Sequence, residues 1–323
     1  MKKSLRYIVL AGMMCLVWLW PAGSVCRGAL YSMGRVIHEK NSLYNSIFVY
    51  QEGSVVTMRF GKRAGLHIQS QVDMENLREH LLEYSKMMFC GLLYNPQPKR
   101  MLVLGLGGGV IPREMRYYFP DLEIDVAEID PDIPPIATKY MGFKTDDKLK
   151  VYVDDGRMFI KKQLRRKPVP KYDIIILDAF NGDYIPFHLM TREFLKEVSG
   201  VLDEDGVVVA NVFSTNQLFD AEFKTFLDVF QRCQVFFGDL SGNAMLVSPG
   251  AKCEVLTVEE AMDRAEQIQQ TLELSFDLVE VASWLDPEAV PDLKAKALTD
   301  DLAPVNWLRE QETRSEKSSG AER

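Results

Sequence analysis

Short apolar runs alternate with helical stretches through the middle of this 323-residue chain. The apolar runs occupy 101–104, 149–153, 172–177 and 206–212, and the helical stretches between them include 132–140, 156–165 and 191–202. Most of the runs are apolar on both faces, which is typical of parallel strands covered by helices on both sides of a sheet. The pattern therefore predicts an α/β fold built on a parallel sheet.

A glycine-rich loop follows the first apolar run. Gly105, Gly107 and Gly109 come directly after it, and a helical stretch follows them. Glycines let the backbone turn sharply and approach a ligand closely. Glu128 stands roughly 20 positions further on, where a carboxylate can accept hydrogen bonds from both hydroxyls of a ribose. No Gly-Lys-Ser/Thr follows Gly109, which excludes a P-loop, so the segment predicts a nucleoside or dinucleotide site of another kind.

Polar positions recur where the predicted strands end. Gly105, Glu128, Asp155 and Asp178 all fall at strand ends, and ligands of parallel sheets bind over the carboxyl ends of the strands. We therefore expect these residues around one crevice. Asp155 can equally well cap the helix that follows it. Asp178 is followed by the loop 179–182 rather than by a helix, which favours a functional role for its carboxylate.

Further motifs flank this core in a fixed order. They are Arg35 with 41–45, 69–73 with Glu79, Arg113-Glu114, Asp130, and Arg157 after Gly156. Together with the glycine loop, their order and spacing from about 34 to 213 resemble the class I S-adenosylmethionine-dependent fold and, within it, the spermidine synthase (polyamine aminopropyltransferase) family. The resemblance implies a Rossmann-like, seven-stranded methyltransferase-type sheet with a small N-terminal β domain. The alternating pattern of 46–71 fits such a domain.

The resemblance also implies a reaction and its residues. An amine attacks the carbon next to the sulfonium of the cosubstrate, decarboxylated S-adenosylmethionine, and a carboxylate takes the proton. By resemblance, Asp178 is the base, Glu128 binds the ribose, and Asp155 contacts the adenine. The implied donor-binding residues are Gln69, Gly105, Gly107, Gly109, Glu128, Asp155 and Gly156. The acceptor is a small amine such as putrescine or spermidine, and no permanently bound cofactor is expected.

The chain departs from the family where the acceptor amine binds. Gly108 stands where the family has an acid, Asn181 where it has the second acid of Asp-x-x-Asp, and 77–78 (Leu-Arg) where it has Tyr-His. Removing one hydrogen bond to a buried cation costs on the order of 1.5–3 kcal/mol. The candidate acceptor-binding residues are Asn45, Arg78, Glu79, Asn181 and Asp183.

Three functions are therefore open from the sequence. The first is aminopropyl transfer to a polyamine-type amine through a reshaped acceptor pocket. The second is methyl transfer from S-adenosylmethionine to an unknown acceptor, because Gly108 removes repulsion against the carboxylate of that donor and Arg78 can pair with it. The third is a non-catalytic module that binds a nucleoside or a polyamine.

The composition limits the classes of ligand and partner that the protein is expected to bind. The formal net charge is −8 and 47% of the residues are hydrophobic, enough for one large core and a small domain. No basic face is evident, which argues against nucleic acid as a partner. The four histidines and five cysteines show neither metal-ligand spacing nor a disulfide framework, so we predict no metal site and no disulfide.

The first 32 residues differ from the rest of the chain. Lys2, Lys3 and Arg6 precede an apolar stretch at 7–20, and the small residues 22–24 follow it. This arrangement is typical of a signal peptide and predicts an exported or periplasmic protein. Left uncleaved, the segment would anchor the protein to the membrane, whereas translation from Met33 would give a cytoplasmic protein.

The sequence predicts five segments. They are a leader at 1–32, a β-rich domain at 33–97, a nucleoside-binding Rossmann-like domain at 98–250, a helical extension at 251–309 and a disordered tail at 310–323. Spermidine synthases are typically dimers or larger, so the resemblance also implies a homodimer.

Overall fold

The computed structural model describes residues 34–61, 67–180 and 185–301. The predicted leader and the predicted tail lie outside these residues. Within them, no helix combines the length and the apolar character that a membrane span requires. Export and membrane anchoring therefore stay predictions.

Residues within 35–60 and 67–73 form an antiparallel sheet whose four strands pair in chain order. The strands are β1 (Arg35–Asn41), β2 (Ser46–Glu52), β3 (Val55–Phe60) and β4 (His67–Asp73). Ile47 and Val49 on β2 lie on the same face as Met58 on β3 and are fully buried with it, as the two-residue period of a strand requires. This apolar face packs into the same core as the larger sheet. The four-stranded sheet corresponds to the predicted N-terminal β domain.

The larger sheet has eight strands. They are β5 (Arg100–Leu104), β6 (Glu123–Glu128), β7 (Leu149–Val153), β8 (Tyr172–Leu177), β9 (Leu202–Phe213), β10 (Gln234–Phe237), β11 (Asn243–Pro249) and β12 (Leu285–Asp286). Their order is β12-β10-β11-β9-β8-β5-β6-β7. Strands β5 to β9 pair in parallel, and β11, β10 and β12 extend the sheet by antiparallel pairing.

Eight α-helices connect these strands or pack against them in the described residues. They are α1 (Glu83–Met87), α2 (Val110–Tyr118), α3 (Ile133–Tyr140), α4 (Gly156–Leu164), α5 (Arg192–Val201), α6 (Phe219–Phe230), α7 (Val258–Thr271) and α8 (Leu278–Ser283). Short 3-10 helices cover Met88–Leu93 and Phe187–Leu189. The start of α7 is fixed by a capping box, because the Thr257 hydroxyl accepts from the Glu260 amide while the Glu260 carboxylate accepts from the Thr257 amide.

Both faces of the large sheet are buried. Along β5, Met101 and Val103 enter the core shared with the small sheet, whereas Leu102 and Leu104 enter a second core with α4 and α5. Adjacent residues of one strand thus bury into opposite layers, which explains why the run is apolar at every position. The predicted fold class is confirmed by this architecture and by its structural neighbours.

The C-terminal part of the chain differs from the sequence prediction in one respect. The sequence predicts a helical extension at 251–309, and α7 and α8 are found there. However, β12 follows α8 and pairs with β10, where Leu285 lies opposite Phe236. The sheet therefore has one short strand more than the seven predicted, because two residues are too few to give a recognisable strand period.

Candidate active site

A cavity of about 480 Å³ opens over the carboxyl ends of β5, β6, β8 and β9, where ligands of parallel sheets bind. The small sheet supplies the opposite wall through Tyr44, Asn45, Phe60, Ile68 and Gln69. The cavity therefore lies between the two sheets, and its polar groups come mainly from the larger one.

The glycine loop forms the floor of the cavity beside β5. Gly105 has φ +95°, and a Cβ there would lie 2.3 Å from the carbonyl oxygen of Asp178. Gly107 has φ +52°, and its Cβ would lie 2.9 Å from Ser70 Oγ. Both positions need glycine because the backbone takes a left-handed conformation and passes close to its neighbours.

The next two glycines serve packing. The amide of Gly108 donates to Ser70 Oγ at 2.8 Å, and a Cβ at this position would lie 2.7 Å from the Cβ of Ser70 and 2.9 Å from the sulfur of Met141. An acidic side chain therefore has no room at position 108 without rearrangement. Gly109 begins α2 with φ +71°, and its Cβ would lie 2.4 Å from the ring of Phe143. Gly109 is not among the residues that line the cavity, and its contact with a ligand stays a prediction.

Glu128 lies at the end of β6 with its carboxylate in the cavity wall. Its Oε2 accepts from the amide of Leu106 and its Oε1 from the amide of Asp130, both at 2.9 Å. Burial raises the pKa of Glu128, while these amide hydrogen bonds act in the opposite direction. Because each carboxylate oxygen can accept a second hydrogen bond, the group is held rigidly and can still accept from a pair of hydroxyls.

Asp130 lines the cavity two residues after Glu128 and is 1% exposed. Its Oδ2 accepts a short hydrogen bond from the Ser42 hydroxyl. The turn between β1 and β2 is thereby tied to the end of β6, and its last two residues, Tyr44 and Asn45, reach the cavity wall.

Asp155 precedes α4 and performs two tasks. Its Oδ1 accepts from the amide of Met158 at 2.9 Å, which caps the helix. Its Oδ2 lies 2.7 Å from Nε2 of His188, and both residues line the cavity together with Gly156. Burial acts to raise the pKa of Asp155, but the hydrogen bonds from His188 and Met158 outweigh it and lower the pKa.

Asp178 follows β8 and is partly buried in the cavity wall. Its Oδ1 accepts from Nδ2 of Asn211 at 2.9 Å. Burial raises the pKa of Asp178 to about 7, and the hydrogen bond from Asn211 opposes this rise. A carboxyl group with a pKa near neutrality can exchange a proton with a ligand at physiological pH.

Tyr84 on α1 faces the same space. Its hydroxyl donates to the backbone oxygen of Gln69 at 2.7 Å. Burial raises the pKa of the Tyr84 phenol, and the charge of Asp178 adds to the rise. The phenol therefore stays protonated and keeps a lone pair that can accept from a ligand.

Comparison with known proteins decides the family. The spermine/spermidine synthase domain matches residues 81–241. A polyamine aminopropyltransferase of Vibrio vulnificus (strain CMCP6) is 36% identical over 286 residues, which cover 86% of this chain and 94% of the relative. The chain belongs to the spermidine synthase family. The prediction of a spermidine synthase-like transferase is confirmed by the same two matches.

Solved structures agree on the fold of this spermidine synthase family member. A probable spermidine synthase from Corynebacterium glutamicum ATCC 13032 has a TM-score of 0.62 at 18% identity, covering 84% of this chain and 99% of that chain. Human methyltransferase-like protein 13, solved in complex with SAH, has a TM-score of 0.55 at 27% identity, covering 66% of this chain and 97% of that chain. The class I S-adenosylmethionine-dependent fold that the resemblance implied is therefore confirmed.

The structure brings one of the predicted acceptor-binding residues of this family member to the cavity and places others away from it. Asn45 lines the cavity. Arg78 does not, because its guanidinium stacks on the ring of Tyr117, 4.7 Å from the ring centre. Glu79 is exposed outside the cavity and lies 3.5 Å from the Asn76 amide. Asn181 and Asp183 lie outside the described residues. Of the five acceptor candidates, the structure thus brings only Asn45 to the cavity in the described part of the chain.

Sequence reasoning missed several polar residues of the site. They include Glu83, Tyr84, His188, Asn211, Ser241 and Asn243. Asn211 lies near the carboxyl end of the predicted run 206–212, so the strand-end argument could have found it, and the others belong to no local motif. The spermidine synthase resemblance has a Tyr-His pair at 77–78, where this chain has Leu-Arg, and the structure brings Tyr84 to the cavity. In the described residues, no cluster of histidine, cysteine or acidic side chains has the arrangement of a metal site.

Proposed function

We propose that the protein transfers an aminopropyl group from decarboxylated S-adenosylmethionine to a polyamine-type amine such as putrescine or spermidine. The observation that carries the proposal is Asp178, a carboxyl group with its pKa raised to about 7 in the wall of the nucleoside-type cavity. A relative that is 36% identical over nearly its whole length is a polyamine aminopropyltransferase, which supports the same reaction.

The nucleoside of the donor fits the groups beside β5 and β6. Glu128 is held by two backbone amides and offers two oxygens to the ribose hydroxyls. Gly105 and Gly107 leave the loop without side chains where the donor passes over it. Asp155 and Gly156 line the same cavity and would contact the adenine.

The transfer itself is a substitution at carbon. The lone pair of the neutral acceptor amine attacks the carbon next to the sulfonium, the carbon–sulfur bond breaks, and its electron pair returns to sulfur. Methylthioadenosine leaves as a neutral thioether. The acceptor amine is neutral because the carboxylate of Asp178 has first taken one proton from its ammonium form, and the new carbon–nitrogen bond leaves the product nitrogen protonated. Because the sulfonium already activates the carbon, the protein contributes mainly by orienting the two reactants and accepting the proton.

The acceptor amine approaches Asp178 from the side of Tyr84. The phenol donates to the backbone oxygen of Gln69, so its oxygen keeps a lone pair that can accept from an ammonium group. Asn45 adds an amide to the same wall. These groups would hold the amine beside the base until it loses its proton.

An activity assay tests this proposal. The purified full-length protein is incubated with decarboxylated S-adenosylmethionine and either putrescine or spermidine, and methylthioadenosine release is measured together with the mass of the amine product. We expect methylthioadenosine and an aminopropylated amine in equal amounts from wild type, and neither above background from Asp178→Asn. Nucleoside binding by calorimetry without any methylthioadenosine release across the amines would refute the proposal.

We further propose that the protein acts after export as a homodimer. The proposal is supported by the signal-peptide pattern of 1–32 and by the family resemblance. Mass spectrometry of the mature N-terminus and light scattering of the purified protein test the two parts. A mature chain that starts at Met33 by translation, with no upstream peptide, would contradict export, and a monomeric mass would contradict the dimer.

A further inference from the structure

Two buried asparagines form a hydrogen-bonded chain that ends on Asp178. Asn211 lies on β9 and Asn243 on β11, and they are 3% and 6% exposed. Asn243 Nδ2 donates to Asn211 Oδ1 at 2.8 Å, and Asn211 Nδ2 donates to Asp178 Oδ1 at 2.9 Å. We infer that Asn211, oriented by Asn243, is a positioning residue that fixes which oxygen of Asp178 receives the proton. The inference rests on the proposed role of Asp178 as base.

The direction of this chain follows from the chemistry of its groups. A carboxylate only accepts hydrogen bonds, whereas an asparagine side chain has a donor end and an acceptor end. Asn211 must therefore turn its Nδ2 toward Asp178, which leaves its Oδ1 to accept from Asn243. Reversing either amide would bring two donors or two acceptors together in a buried place, so the network holds one orientation.

The backbone of Asn243 is held as well. Its backbone N–H donates to Ser241 Oγ at 3.3 Å, and that hydroxyl donates to Glu83 Oε2 at 2.7 Å. The amides of Asp239, Leu240 and Ser241 also donate to the carboxylate of Glu83. The turn before β11 is thus pinned to the first residue of α1, next to Tyr84.

The hydrogen bonds between Asn243, Asn211 and Asp178 determine which carboxylate oxygen of Asp178 can accept a proton. Oδ1 of the carboxylate is occupied by Asn211, so Oδ2 is the oxygen left to take the amine proton. A donor to a carboxylate also favours its ionised form, and Asn211 lowers the pKa of Asp178 against the effect of burial. Without Asn211, the carboxyl could rotate and would hold its proton at a higher pH.

Other titratable groups of the cavity would not produce the pKa change of Asp178 that a substitution of Asn211 produces. Those that line it in the described residues are Tyr44, Glu83, Tyr84, Glu128, Asp130, Asp155 and His188. Among them, the charge of Asp178 acts on Tyr84 and raises the pKa of its phenol. A substitution at 211 leaves all of these side chains in place, so a change in the titration of Asp178 reports on the asparagine.

Two measurements on Asn211→Leu test the inference. The first follows the carboxyl of Asp178 by carbon-13 NMR titration, assigned by its loss in Asp178→Asn, and needs no turnover. The second is the pH profile of kcat for aminopropyl transfer. We expect the titration midpoint and the acidic limb to move up by about one pH unit, which lowers kcat at pH 7 by up to about tenfold. KM for the donor should change less than about threefold, and kcat should recover above pH 8.

Two further variants serve as controls. Asn211→Gln keeps an amide donor, so the acidic limb of its kcat profile should lie closer to the wild-type position than that of Asn211→Leu. Asn243→Ala leaves Asn211 present but free to turn. The acidic limb of its kcat profile should move to higher pH, as in Asn211→Leu, but by a smaller amount. Asn243→Ala also keeps the test decisive if Asn211→Leu does not fold.

The inference and the proposed function fail in different ways. A carboxyl titration and an acidic limb that stay at the wild-type position in folded Asn211→Leu, or in Asn243→Ala where the leucine variant does not fold, would overturn the positioning role. A wild-type protein with no aminopropyl transfer would refute the proposed function alone, because the NMR titration would still show whether Asn211 controls Asp178.

Discussion

His188 Nε2 lies 2.7 Å from Oδ2 of Asp155, while Oδ1 of the same carboxylate caps α4 through the amide of Met158. The sequence left two roles open for Asp155, helix capping and ligand binding. The structure shows that Asp155 caps the helix with one oxygen and binds His188 with the other, and that the residue lines the cavity. Its contact with a ligand stays a prediction. The cap fixes the carboxylate in the cavity wall, and His188 brings the loop before α5 against it.

This relationship predicts different results for two substitutions of Asp155. Asn is a good N-cap but has one acceptor oxygen, so Asp155→Asn should keep the stability of the fold while methylthioadenosine binds about tenfold more weakly. Asp155→Ala should lose the binding and also about 1 kcal/mol of unfolding free energy. Calorimetry and urea denaturation measure the two effects. Wild-type affinity in Asp155→Asn would mean that Asp155 only caps the helix.

The conformation of Gly105 predicts a strong effect of a single methyl group. In Gly105→Ala the new Cβ would lie 2.3 Å from the carbonyl oxygen of Asp178, in addition to the strain of φ +95°. Gly53→Ala is the matched control, because Gly53 has φ +61° and nothing lies within 4 Å of its Cβ. We expect a loss of about 1 kcal/mol of stability for Gly53→Ala and more than about 3 kcal/mol for Gly105→Ala by urea denaturation. Equal losses would show that the loop can move aside.

The raised pKa of Asp178 predicts the pH dependence of activity. The base must be ionised to accept a proton, and burial raises its pKa to about 7. Activity should therefore be highest above pH 7 and should fall roughly tenfold per pH unit below it. The expected profile of kcat/KM has its acidic limb near pH 7. A limb near the ordinary aspartate value, about 4, would contradict the burial of the group.

Arg157 connects the C-terminal segment to the helices around the site. Its guanidinium donates to both oxygens of Glu197 and to both oxygens of Asp300. The Arg157 hydrogen bond lowers the pKa of Asp300 to about 2. An aspartate with a lowered pKa stabilises the fold above its unfolded value near 4, and this stabilisation is lost as the pH falls from about 4 through 2.

Two variants test this ion-pair network. Arg157→Met should lower the unfolding free energy at pH 7 by about 1–3 kcal/mol, because Glu197 and Asp300 lose the guanidinium and keep only weaker partners in Lys161 and Thr191. Asp300→Asn should cost less, since its carboxylate is partly exposed, and its difference from wild type should shrink between pH 4 and 2. Thermal denaturation across this range is the measurement, and a difference that stays constant with pH would contradict the pairing.

The sequence predicted the nucleoside side of the site because parallel strands converge by geometry. Glu128, Asp155 and Asp178 each follow an apolar run, and strand ends of a parallel sheet meet at one edge whatever the loops between them do. The glycine loop was predicted for the same reason. Its fine structure was not, since Gly109 packs on Phe143, a contact that depends on the tertiary fold.

The acceptor side could not be predicted in the same way. Tyr84 comes from α1 and Asn243 from β11, and both line the cavity. Their meeting with the strand ends depends on how α1 and the antiparallel strands pack, which leaves no local pattern in the sequence. Asn211 differs, because it lies near the carboxyl end of the predicted run 206–212 and could have been found by the strand-end argument. Arg78 was expected there from its place in the family motif, but its guanidinium packs on Tyr117 instead.

A donor competition tests the central claim most directly. The full-length protein receives equal concentrations of S-adenosylmethionine and its decarboxylated form together with putrescine, and all nucleoside products are quantified. The account predicts methylthioadenosine and aminopropylated putrescine in equal amounts, with S-adenosylmethionine unchanged and no product in Asp178→Asn. Formation of S-adenosylhomocysteine with a methylated acceptor, and no methylthioadenosine, would contradict it.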